Sequence, residues 1–64
     1  MRALSATDLA IGIAIQQGTI SLVERPSRLG GTYIAIEDDR GLIEVALARA
    51  EAEARLASVK GRLA

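Results

Sequence analysis

Residues 41–63 read GLIEVALARAEAEARLASVKGRL. Ala, Leu, Glu, Arg and Lys dominate the stretch, all strong helix formers, and no proline interrupts it. It predicts one long C-terminal helix. Winding that helix gives two opposite apolar faces rather than the single stripe of an ordinary surface helix. Leu42, Val45, Ala52, Leu56, Val59 and Leu63 share one face, with Arg49 as the intruder. Ile43, Leu47, Ala50, Ala54 and Ala57 share the other, and Gly61 and Ala64 continue it at the alternating four-three spacing of a helix–helix seam. Glu51 and Arg55 stand four apart in the order that favours an ion pair along the helix.

Upstream, three short runs alternate in character. Residues 9–15 (LAIGIAI) place Leu9, Ile11, Ile13 and Ile15 on one side and small residues on the other, the period of a strand. Residues 19–24 put Ile20 and Leu22 opposite a more polar side, and residues 32–37 put Ile34 and Ile36 opposite Tyr33, Ala35 and Glu37. A turn at 16–18 and the loop RPSRLGG at 25–31 separate them, since proline and paired glycines favour turns. Paired as a meander, the strands offer an aliphatic face to the Leu/Val side of the helix. The expected fold is therefore α+β, a three-stranded antiparallel meander followed by one long helix packed on one sheet face, in the order β-β-β-α. The alternative is α-β-β-α with residues 6–17 helical, which the helix-starting pattern Ser5-Ala-Thr-Asp8 supports. Residues 1–64 are expected to form a single small domain.

Composition narrows the function. The chain has no Cys and no His, so thiolate and imidazole chemistry are absent, and its only aromatic residue is Tyr33. Half of it is hydrophobic, which is much aliphatic surface for 64 residues to hide internally. Basic and acidic residues balance at eight each, which argues against a nucleic-acid or anionic-membrane partner. Nothing near Met1 has the form of a signal peptide, and the apolar stretch 3–23 contains Asp8, Gln16 and Gln17, which argues against a membrane span. The expected location is the cytoplasm or the interior of an assembled particle.

The acidic run Glu37-Asp38-Asp39 reads as a turn with a capping aspartate rather than a cation site, because three consecutive residues rarely converge on one ion. Arg25 and Arg28, beside Gly30 and Gly31, match no phosphate-binding fingerprint, and their guanidinium groups suit carboxylates on a neighbouring protein. Hydroxyls without histidine, in a fold expected to have no room for a pocket, predict a protein that is not an enzyme. No metal or cofactor is implied. The expected function is that of a structural or interaction protein, a small subunit of a homo-oligomer or larger assembly such as a phage particle or secretion machine. A small regulatory or inhibitor-type module acting as a dimer is the alternative. The expected protein interface comprises Ile43, Leu47, Ala50, Ala54, Ala57, Tyr33, Arg25 and Arg28.

Overall fold

A hydroxyl three residues ahead of an aspartate opens the first element. In the computed structural model, which describes residues 5–63 and the side chains of 5–62, helix α1 spans Ala6–Gln17. Ser5 precedes it in an extended conformation, and its hydroxyl accepts a hydrogen bond from the backbone N–H of Asp8 at 3.1 Å. The far end closes on Gly18, whose φ of 73° is left-handed. Gly18 N–H donates to the Ile15 carbonyl at 3.2 Å and Thr19 N–H to the Ala14 carbonyl at 2.9 Å, the paired bonds of a Schellman motif. Residues 9–15 are thus helical, not a strand. Their large–small alternation misleads because the segment is apolar on every side: winding sends Ile11, Gly12 and Ala14 inward, while Leu9 and Ile13 point outward.

Strand β1 covers Ser21–Pro26 and β2 Thr32–Asp38, close to their expected positions. The third strand, β3, is Gly41–Ala46, and α2 is confined to Arg49–Leu63. The expected long helix therefore begins eight residues later than Gly41. Asp38, Asp39 and Arg40 explain the difference: they form a tight hairpin turn in which the Asp38 carboxylate accepts from the backbone N–H of Arg40 at 2.8 Å, rather than capping a helix. β-branched Ile43 and Val45 then suit a strand better than their helix-forming neighbours suggest.

The element order is α1-β1-β2-β3-α2, an α+β fold with a three-stranded antiparallel sheet in the order β1-β2-β3. Both helices lie on one side of the sheet, α1 against α2 and β3, and α2 against β3 and β2. The core consists of Ile11 from α1, Ile34, Ile36 and Ala46 from the sheet, and Ala52 and Val59 from α2, with Ile15, Ile20, Leu22, Ile43 and Leu56 packed around it. The inner side of α2 is the part of the predicted Leu/Val face that remains helical. Ala64 and the side chain of Leu63, also assigned to helix faces from sequence, lie outside the described residues. No described helix is long and apolar enough to cross a membrane.

An ionic cluster ties the layers together. Arg55 of α2 forks onto Glu44 of β3, with Nε to Oε2 at 2.8 Å and Nη2 to Oε1 at 3.1 Å. Its Nη2 also pairs with Oδ1 of the buried Asp8, without a well-aligned hydrogen bond, while Arg62 Nη1 donates to Asp8 Oδ2 at 2.9 Å. Arg55 is the largest influence holding the Asp8 carboxyl below its ordinary pKa; burial opposes it, and the Ser5 backbone and hydroxyl assist. The guanidinium of Arg55 is in turn raised, first by Glu44 and then by Asp8. Arg55 thus faces Glu44 and Asp8, not Glu51 as the helical spacing suggests.

Candidate interaction surface

Strand register determines which side chains share the side of the sheet away from the helices. Leu22, Ile36 and Glu44 align across the strands on the covered side, as do Glu24, Ile34 and Ala46. The alternate positions form the reverse face: Arg25 beside Tyr33, Val23 beside Ala35 and Val45, and Ser21 beside Glu37 and Leu42. The register slips between Ile36 and Glu37, leaving Ile43 as the extra residue of a bulge that turns its side chain toward the core.

The reverse face carries apolar side chains from all three strands and one ion pair, Arg25 with Glu37. Leu42 and Val45 are 59% and 53% exposed, and Val23 and Tyr33 are half-buried. Ala35 at the centre is nevertheless fully buried. The register accounts for this, because Arg25 and Glu37 lie on either side of Ala35 along the face and their side chains meet across it. Arg25 Nε donates to Glu37 Oε2 at 2.6 Å and Nη2 to Oε1 at 3.0 Å, a bidentate fork. That contact lowers the Glu37 pKa against some desolvation and raises that of Arg25. An exposed pair of this kind stabilises the fold little. Its effect here is to fix where the two charges stand on the face.

The residues expected to form an interface are dispersed. Tyr33 and Arg25 are brought together as cross-strand neighbours. Ile43 is partly buried in the β3 bulge, Leu47 is 85% exposed between β3 and α2, and Ala50, Ala54 and Ala57 are exposed on α2. They do not form one helical seam, because the first two residues are not in the helix. Arg28 is exposed in the β1–β2 loop, where Ser27 N–H bonds to the Gly31 carbonyl at 3.0 Å. The reading from sequence set Tyr33, Ala35 and Glu37 on this side of β2 and named Tyr33 and Arg25 as interface residues; it missed Leu42 and Val45, which it assigned to a face of the helix.

A groove of about 360 Å³ runs between α1 and the β2–β3 turn, contrary to the expectation that so small a fold has no room for one. It is open to solvent and lined by Ala6, Thr7, Ala10, Asp38, Arg40, Leu42 and Ile43. The one carboxylate in it already accepts the Arg40 N–H. The acids 37–39 diverge: Glu37 goes to Arg25, Asp38 to the turn backbone, and Asp39 to solvent. Comparison of the chain with protein-family models, curated proteins and solved structures gives no match in any of the three.

Proposed function

We propose that this chain works by association rather than by chemistry: a non-enzymatic structural or interaction subunit of a homo-oligomer or larger assembly, of the kind from which virus particles and secretion machines are built. The reverse face of the sheet carries this reading. All three strands contribute apolar side chains to it, and neither helix covers it. A domain of this size draws only about 3–5 kcal/mol from its own core. Among the described residues, the large side chains buried completely are Ile11, Ile36 and Val59. Covering Val23, Tyr33, Leu42 and Val45 in a complex adds apolar burial that the single chain lacks, and mass action turns that burial into stability.

The polar groups fit the same reading. Asp8 and Glu44 are held by Arg55, and Glu37 is held by Arg25. The hydroxyls have no imidazole to activate them, since the chain contains no histidine. The test is the native mass of the purified chain from micromolar to submillimolar concentration, by sedimentation equilibrium. The expected result is a concentration-dependent species heavier than the 6.7 kDa chain. A mass that stays at that of one chain throughout overturns self-association.

A further inference from the structure

We infer that the β1–β2 loop of one copy seats in the groove between α1 and the β2–β3 turn of the next, so that copies join head to tail; the inference rests on the association reading above and assigns it a contact. The loop supplies a knob. Leu29 at its tip is 99% exposed, yet the backbone there is fixed: Ser27 N–H donates to the Gly31 carbonyl at 3.0 Å, Gly30 N–H to the Ser27 carbonyl at 3.2 Å, and Leu29 N–H to Ser27 Oγ at 3.2 Å. A side chain held out on an ordered loop loses little freedom on binding beyond its own rotamers. Arg28 beside it enters no ion pair among the described residues, unlike Arg25, which Glu37 holds.

The groove supplies a socket. Its hollow of about 360 Å³ has an apolar floor of Ala6, Ala10, Leu42 and Ile43. A second hollow of about 220 Å³ shares Ala10, Asp38 and Arg40 with it and adds Ile13 and Asp39. Together they form an apolar trough along α1 edged by carboxylates, with room for a leucine side chain and its neighbours. Asp39 is exposed and pairs with no cation among the described residues, which leaves it for Arg28. Arg40 on the same rim is likewise unpaired among them, and the loop end of β1 carries the unpaired acid Glu24 to meet it. One chain cannot fill its own groove: β2 runs from Thr32 at the loop to Asp38 at the groove, seven residues and about 20 Å. Another copy brings knob and socket together, and each pair so formed still presents a free knob and a free groove, the heterologous contact that propagates into rings or open chains. A contact limited to one loop lies at the small end of specific interfaces, so association belongs in the micromolar range or above.

The experiment places one variant on each side of the contact in the full chain and follows sedimentation velocity, with circular dichroism to check folding. Leu29→Asp removes the knob and sets an acid against Asp39. Ala10→Lys keeps a strong helix former in α1 while filling the groove and opposing Arg28; Asp39→Lys, at an exposed turn position, takes its place if Ala10→Lys fails to fold. Wild type is expected to grow past two chains as concentration rises. Each variant alone associates more weakly by about tenfold or more. Their equimolar mixture forms a pair and stops there, because the intact loop of the Ala10→Lys chain enters the intact groove of the Leu29→Asp chain and the two remaining ends are blocked. Wild type that associates but stops at two chains, variants that associate as wild type does, or a mixture that forms no pair overturns this contact and leaves the association reading standing. Wild type that remains monomeric to submillimolar concentration overturns both.

Discussion

Replacing Ser5 with alanine separates the helical from the extended reading of the N-terminal segment. The substitution removes the acceptor that Asp8 N–H meets at 3.1 Å, in the first turn of a helix that has Ile11 and Ala14 buried behind it. Loss of such a cap costs about 1 kcal/mol, within a range of roughly 0.5–2. For a domain this small, that lowers the Tm by about 4–8 °C. Ser5→Asn retains a side-chain acceptor and is expected to melt within a degree or two of wild type. Thermal unfolding followed by far-UV circular dichroism measures both, at one fixed protein concentration because association shifts the Tm. Were residues 9–15 a strand, Ser5 would cap nothing and the change would stay within about 0.5 kcal/mol. Equal melting of Ser5→Ala, Ser5→Asn and wild type therefore refutes the account of α1.

Other substitutions probe the remaining layers. Ile36 is fully buried at the middle of the sheet, so Ile36→Val is expected to lose about 0.5–1.5 kcal/mol and Ile36→Ala about 2–5. The larger loss rivals the whole stability of so small a domain, whereas Leu29→Ala, at a side chain 99% exposed, should leave the urea midpoint unchanged. At Gly61, in α2, an added Cβ meets nothing within 4 Å; Gly61→Ala is expected to raise stability by about 0.5–1 kcal/mol in the same denaturation assay. Asp8 and Glu37 both have carboxyl pKa values lowered by the fold. Their contribution is complete above the unfolded value of about 4 and is lost as pH falls through the lower folded values, so stability should decline below that point. Asp8→Asn is expected to flatten the acid limb of the stability–pH curve, and an unchanged limb would remove Asp8 from the explanation.

Much of the sheet was legible because β1 and β2 alternate between apolar and polar residues, and the glycines and proline between them mark a loop. The inner side of α2 was legible too: Ala52, Leu56 and Val59 recur at helical spacing. Two segments were not. In α1 every residue from Leu9 to Ile15 is apolar, so hydrophobicity carries no phase there, and the capping signal at Ser5 outweighed the apparent alternation of Leu9 to Ile15. In residues 41–46 good helix formers mask a strand, and only the aspartate turn ahead of them marks the break. That misassignment also hid the candidate surface. Leu42 and Val45 read as inward helix positions, yet on β3 they stand in register with Glu37 and Ala35 on the open side of the sheet. Asp8 and Arg62 lie 54 positions apart and become partners only after the layers assemble, a relation that no local pattern encodes.

That last contact also fixes where the chain enters and leaves the domain. The first turn of α1 and the last turn of α2 are held side by side by the bond from Arg62 to Asp8, while the β1–β2 loop carries the exposed Arg28 and Leu29. A domain with its two ends adjacent can be spliced into a surface loop of a host protein without prising that loop apart. It can equally be circularly permuted, with a short glycine–serine bridge joining α2 to α1 and a new opening in the β1–β2 loop.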